Sequence, residues 1–180
     1  VALVVAETWL QAKDAAELIE VDYEELPPVI DIQTADGAGS AVHDEVPNNV
    51  CYDWGHGNKD AVDAAFKTAA RVSTLEFVNN RLIPNAIEPR AAIGEYEPGT
   101  DSFTLWSTSQ NPHVLRLGLS AFIGLAPEHK FRVISPDVGG GFGSKIFIYP
   151  EETVCIWASK KVGRPVRWTA TRSEGILTDA

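Results

Sequence analysis

Val138-Gly139-Gly140-Gly141-Phe142-Gly143-Ser144-Lys145 is the run on which the reading of this chain turns. Three adjacent glycines and a fourth leave only one side chain between residues 139 and 143. Such a backbone can pass very close to a ligand and present its N–H groups to it. It can equally be a tight structural turn, and the glycine count alone leaves both readings open. Spacing does exclude two common phosphate loops. A Walker A loop needs G-x-x-x-x-G-K-[ST], but Ser144 stands where its second glycine belongs and Ile146 where its hydroxyl belongs. A dinucleotide fingerprint needs G-x-G-x-x-G; Gly139 and Gly141 fit, and Ser144 breaks it.

Thirty residues upstream lies Ser107-Thr108-Ser109-Gln110-Asn111-Pro112-His113. It joins a strand to a helix, a junction that aims small polar side chains and backbone N–H groups at ligands. Gln110 is an uncharged donor and acceptor suited to holding a cofactor oxygen. A plain capped helix start is the simpler reading of this stretch by itself.

The flanking pattern predicts a mixed α+β chain. Val1–Ala6 reads as a buried strand. A capping box from Thr8 to Gln11 opens a helix through Ile19, and Ile19, Val21 and Tyr23 alternate as a second strand. Pro27-Pro28 ends that β-α-β unit. Residues 31–58 are rich in Gly, Asp, Asn and Ser and read as a linker winding over a surface, with His43 and His56 solvated. Asp60 is the expected cap of a short alanine-rich helix, and Val72–Phe77 alternates as a strand.

Two strands, Ala91–Tyr96 and Phe103–Trp106, flank the turn Pro98-Gly99-Thr100-Asp101. Asn111 and Pro112 open a helix that Gly124 closes, and residues 131–134 form a strand before the glycine loop. Pro150 opens a further helix. Its Glu151 and Glu152 at one end and Lys160 and Lys161 at the other match the macrodipole, and Gly163 is its C-cap. A strand over 166–169 and a short helix from Ser173 complete the chain.

Composition narrows the classes. With 15 Lys and Arg against 25 Asp and Glu among 180 residues, the net charge is −10, which repels phosphate backbones and excludes a nucleic-acid partner. No apolar run approaches the roughly 18 residues of a membrane helix. The absence of Met and the apolar start at Val1 predict an internal piece of a longer chain. Cys51 and Cys155 lie far apart with no Cys/His cluster, so they read as free thiols, and no metal-ligating side chain is assigned.

Taken together, these segments resemble the molybdenum hydroxylases: xanthine dehydrogenases, aldehyde oxidoreductases and aerobic carbon monoxide dehydrogenases. The resemblance rests on residues 1–29, Pro84-Asn85-Ala86-Ile87-Glu88-Pro89-Arg90, the Ser107–Pro112 stretch and the glycine loop. The closing Gly163–Trp168 and Thr171–Glu174 also fit. It is closest to the molybdenum-binding large subunit of the carbon monoxide dehydrogenase branch, through Lys145-Ile146 and Tyr149-Pro150. Ile146 stands where purine-oxidising members tend to carry an acidic residue.

The resemblance implies that residues 1–30 end an α/β hammerhead domain, 31–59 are a linker and 60–180 begin the molybdopterin-binding domain. It places Gln110 beside the molybdenum oxo group and Phe142 and Gly143 on the metal's other side. Gly140 and Gly141 would let the loop pass the pterin without a Cβ clash. His113 and Arg116, on the following helix, are candidates to face the cofactor.

The implied cofactor is molybdopterin cytosine dinucleotide, held through its own sulfurs. The implied enzyme is cytoplasmic and oxidises or hydroxylates a small substrate with water as oxygen source. It passes electrons to [2Fe–2S] and FAD on small and medium partner subunits, in a dimer of heterotrimers. The base glutamate and the active-site loop would lie downstream. The competing expectation is a non-catalytic module that binds a phosphate or dinucleotide through Gly139–Gly143.

Overall fold

The structure, a computed structural model, describes residues 1–37 and 39–179. The chain forms two compact units, one of Val1–Ala16 with Asn79–Ala180 and one of Glu17–Val78.

In the first unit, α1 (Trp9–Ala16) is opened by the expected capping box: Thr8 N–H donates to Gln11 Oε1 at 3.0 Å and Gln11 N–H to Thr8 Oγ1 at 3.3 Å. The site-bearing part is a four-stranded sheet of β1 (Ala91–Glu97), β2 (Ser102–Ser107), β3 (Phe131–Ile134) and β4 (Val166–Thr169), in the order β3-β2-β1-β4. β1 pairs antiparallel with β2 and β4, and β2 pairs parallel with β3. A parallel pair needs a long crossover. Here it contains α3 (Pro112–Ala121), so β2-α3-β3 is a βαβ unit. α4 (Pro150–Val162) and α5 (Arg172–Thr178) follow.

The core joins Ala92, Phe103, Leu105 and Phe131 from the strands to Leu115 and Leu119 of α3 and Cys155 and Ile156 of α4. Each fully buried aliphatic side chain contributes about 1.5–3 kcal/mol, which makes this helix-on-sheet layer the rigid support of the loops at its edge. α4 lies so close to β1 that a Cβ on Gly94 would stand 2.5 Å from the Cys155 backbone carbonyl carbon.

Several helix ends follow the sequence reading. Pro112 and Pro150 occupy first turns, Gly163 is the left-handed C-cap of α4 at φ 65°, and the Pro98–Asp101 turn joins β1 to β2. α3 ends before Gly124, with Phe122 as its C-cap, and Gly124 takes a left-handed φ of 70° beyond it. Three further caps differ. Asn111 holds the N-cap place of α3 without a side-chain cap; its own N–H donates to Ser109 Oγ at 3.0 Å. α5 starts one residue early because Thr171 and Glu174 form a capping box around Ser173. In the second unit, α2 (Lys59–Thr68) is capped by Asn58, whose Oδ1 accepts from Ala61 N–H at 3.0 Å. Asp60 already lies inside the first turn, where it cannot act as the cap.

Within the second unit Asn49, at φ 56°, donates to the carbonyls of Ala35 and Ser40 and accepts from Val42 N–H.

Residues 1–6, 19–23 and 72–77 are not strands. Apolar patterning nominates a strand, but a ladder partner makes one, and among the described residues none pairs with these segments. Their Val1, Leu3, Ile19, Val21, Tyr23, Val72, Leu75 and Phe77 side chains are exposed. Among the described residues no helix is long and apolar enough to cross a membrane.

Both cysteines are free, Cys51 exposed and Cys155 buried. Burial, with smaller contributions from Glu151 and Glu152, pushes the Cys155 thiol up to about 12. At pH 8 a thiol reagent is therefore expected to label one cysteine per folded chain, Cys51, and the second only after denaturation. Rapid labelling of two would contradict the buried position of Cys155.

Candidate cofactor-binding site

Three segments remote in sequence meet beside the ends of β2 and β3: residues 84–90, Ser107–Gln110 and the glycine loop. The glycine loop is tied to each of the other two by specific bonds. Gln110 N–H donates to the Lys145 carbonyl at 2.9 Å, and Ser109 Oγ donates to the same carbonyl at 3.4 Å. In return Lys145 N–H donates to Gln110 Oε1 at 3.3 Å, and Gly143 N–H donates to that oxygen at 2.9 Å. Two backbone donors facing one end of the carboxamide fix its orientation: that end must be the oxygen. The Nε2 end of Gln110 has no acceptor among the described residues. It is the group Gln110 presents outward, and Gln110 is exposed.

The loop itself is wound tightly. Ser144 N–H and Oγ both donate to the Gly141 carbonyl, at 3.0 and 2.9 Å, and Tyr149 Oη donates to the Ser144 carbonyl at 2.5 Å. Gly140 and Gly143 adopt φ of 98° and 102°. Phe142, between them, is held at φ 53° and is 77% exposed. A bulky residue in the left-handed region is strained, and such strain collects at ligand-binding sites. The N–H groups of Gly140, Gly141 and Phe142 have no acceptor among the described residues, so the turn offers three consecutive donors.

The floor of the site is ionic. Lys145 is buried, its side chain only 2% exposed, and its Nζ lies 2.8 Å from Glu88 Oε2. The same Glu88 oxygen accepts Gly139 N–H at 2.8 Å. Partial burial disfavours the Glu88 carboxylate, but Lys145 and the Gly139 N–H outweigh it and hold its pKa below the ordinary value.

Residues 85–90 are gripped from α5. Arg172 donates to Asn85 Oδ1 and to the carbonyls of Ala86 and Ile87 at 2.6–2.7 Å. Buried Arg90 pairs with Asp179 at 2.6 Å and Glu151 at 3.1 Å, and its guanidinium stacks 3.6 Å from the Tyr149 ring centroid. Glu152 accepts from Ser107 Oγ at 2.5 Å and from Tyr149 N–H at 3.1 Å, with burial raising its pKa. The two glutamates of α4 are thus capping and tethering groups.

The expected site residues Gln110, Gly140, Gly141, Phe142 and Gly143 therefore do come together. A Cβ on Gly141 would overlap the Gln110 carboxamide, its Cδ 2.5 Å away, so this chain's own glutamine already requires glycine there. At Gly140 the nearest atoms are the Phe142 ring and Ala86 Cβ. Arg116 is engaged elsewhere, paired with Glu128 at 2.8 Å, and His113 is exposed on the first turn of α3.

The sequence reading missed the roles of Glu88, Lys145 and Arg172. The available signal was the pairing of a lysine inside the glycine motif with a glutamate inside the other matched motif, since a buried cation requires a partner.

This geometry is that of an anion- and oxygen-binding cradle built from backbone donors and one amide. The sequence profile of the molybdopterin cofactor-binding domain matches residues 42–180. The chain belongs to this domain family of the molybdenum-dependent oxidoreductases. It is 38% identical to the carbon monoxide dehydrogenase large chain of Hydrogenophaga pseudoflava, over all of this chain and 24% of that one. It is 37% identical to the nicotine 6-hydroxylase large subunit of Paenarthrobacter nicotinovorans, over 98% of this chain and 21% of that one.

Among solved structures, the copper- and molybdenum-containing carbon monoxide dehydrogenase superimposes with a TM-score of 0.82 at 34% identity, covering 96% of this chain and 23% of that one. Quinoline 2-oxidoreductase of Pseudomonas putida 86 gives 0.80 at 35%, covering 94% and 21%. The chain spans about a quarter of the length of these relatives. The residues present fit a molybdopterin cofactor: the N–H groups of Gly140, Gly141 and Phe142 and the Nε2 end of the oriented Gln110 amide are donors without an acceptor among the described residues.

Gly141→Val is expected to displace the Gln110 carboxamide and with it the Gly143 N–H. In the full-length subunit, molybdenum per folded molecule should fall. Full occupancy in folded Gly141→Val protein would return the loop to a purely structural turn.

Proposed function

We propose that this chain is the cofactor-cradling part of the large subunit of an enzyme that oxidises or hydroxylates a small substrate, with water as the oxygen source. The observation that carries the proposal is the Gln110 amide, its oxygen held by Gly143 and Lys145 and its NH2 left to donate outward, beside the free donors of Gly140, Gly141 and Phe142. In this reading molybdopterin cytosine dinucleotide, when bound, supplies the two-electron chemistry at molybdenum.

The chain's own residues hold and orient. Gln110 Nε2 and the loop N–H groups would hold the cofactor by donating hydrogen bonds to it. Phe142, projecting from the loop, would exclude water beside them. A donor fixed in advance costs no reorganisation as charge develops, which is why it aids catalysis.

Carbon monoxide, an aldehyde or a heterocycle is the proposed substrate class. Support comes from the relatives named for such substrates and from Ile146, where purine-oxidising members tend to be acidic. Electrons would leave to [2Fe–2S] and FAD centres on small and medium partner subunits, in a cytoplasmic dimer of heterotrimers. Residues 1–30 would end the hammerhead domain, 31–59 link, and 60–180 begin the cofactor domain, with the base glutamate and active-site loop further along the polypeptide.

In the assembled enzyme, Gln110→Ala is expected to lower turnover per bound molybdenum about 10²–10³-fold, the cost of one preorganised donor. Unchanged turnover per molybdenum, measured on the carbon monoxide or aldehyde that the parent enzyme oxidises, would overturn the role. The 180-residue chain alone is expected to oxidise neither, and measurable oxidation by it would show that the base lies within these residues.

A further inference from the structure

We infer that Glu88 is a positioning residue that staples the two ends of the cofactor loop to a single carboxylate oxygen and so sets the aim of its apex. The inference rests on the cofactor reading above for its purpose, and on geometry alone for the staple. Glu88 Oε2 accepts Gly139 N–H at the loop's start and Lys145 Nζ at its end, each at 2.8 Å. Both anchors thus converge on one atom, and the six residues from 139 to 144 are drawn into a ring that Lys145 completes. Glu88 N–H adds a longer bond to the Gly139 carbonyl, 3.4 Å.

The ring is anchored in both directions. Behind Glu88, Arg172 fixes the carbonyls of Ala86 and Ile87, and Arg90 is buried between Tyr149 and Trp168 with Glu151 and Asp179 as counter-ions. Ahead of it, Lys145 passes the constraint to Gln110 through the bonds between their backbones and the Gln110 oxygen. What the staple leaves unbonded is the apex: the N–H groups of Gly140, Gly141 and Phe142. Releasing the ends would let the left-handed turn at Phe142 relax and take these donors out of line.

Charge is central to this arrangement. Lys145 Nζ is buried with Glu88 as its one ion-pair partner among the described residues. Charge-assisted bonds are roughly twice as strong as neutral ones, and two of them meet at this oxygen or beside it. Glutamine at 88 would keep an acceptor for Gly139 but lose the pair. Glu88 touches neither substrate nor cofactor in this scheme and acts through the loop.

The test uses the full-length subunit in its assembled enzyme, both cofactor-loaded and produced without molybdenum cofactor. In Glu88→Gln, exchange of the hydrogen-bonded amides within residues 139–145, those of Gly139, Gly143, Ser144 and Lys145, is expected to run about 10- to 100-fold faster, the fold-change that follows from losing a hydrogen bond to a charged group. β1 and β2 should exchange as in the parent. In the loaded enzyme the molybdenum paramagnetic resonance signal is expected to shift or divide into several forms, which a merely structural role would not cause.

The double variant Glu88→Gln with Lys145→Met removes the uncompensated buried charge and is expected to fold while keeping the fast loop exchange. It decides the matter if the single variant does not fold. Parental exchange at 139–145 in a folded variant would overturn the staple. Fast exchange in the cofactor-free protein, together with an unshifted resonance signal and full molybdenum content when loaded, would keep the staple but sink the cofactor reading of the loop.

Discussion

The ion pair between Lys145 and Glu88 is the constraint around which the site is organised. A lysine with a 2% exposed side chain cannot remain charged in the interior without a counter-ion. Once Glu88 is fixed as that partner, residues 84–90 must lie under the glycine loop, because their carboxylate has to reach both Nζ and the Gly139 N–H. The position of Lys145 then determines the orientation of the Gln110 carboxamide, since its N–H and that of Gly143 share the amide oxygen. The outward donor of the site is therefore set by a charge buried below it.

Two arginines explain why an irregular segment can serve as the floor. Residues 84–90 contain two prolines and belong to no helix or strand, so their backbone groups need partners from elsewhere. Arg172 supplies them for Ala86 and Ile87, and it sits at the start of a helix whose own first turn is held by the Thr171–Glu174 box. Arg90 ties the other end of the segment to α4 and to the residues that follow α5. The planar guanidinium suits this work, because it bonds in its plane while stacking on Tyr149 through its face. The helices therefore act on the site through side chains that fasten a loop, while the sheet provides the platform.

The glycines serve close approach within the chain itself. A run of four glycines in five positions announces close approach, and the structure contains it. At Gly141 the approaching group is Gln110, and at Gly139 it is the Glu88 side chain. Tight packing against these two residues gives the turn that carries the exposed Phe142 a fixed shape.

Much of this was written in local sequence. The boxes Thr8–Gln11 and Thr171–Glu174, the proline starts of α3 and α4, the left-handed glycines after them and the Pro98–Asp101 turn are decided by residues within about five positions of each other. Hydrogen bonds of that range need no distant partner. The motifs themselves, and the family to which they point, are likewise a matter of which residues stand in which order. Strands at 1–6, 19–23 and 72–77 could not be settled in this way, because period-two patterning sorts faces while a ladder requires a second strand. Nor could the assembly of the site. Glu88, Gln110 and Lys145 are separated by 22 and 35 positions, and only the sheet, with α3 carried across as the crossover, brings them within hydrogen-bonding distance. A side chain's partner at that range is fixed by tertiary packing, here the core shared by β2, α3 and α4 that holds the chain's distant segments together.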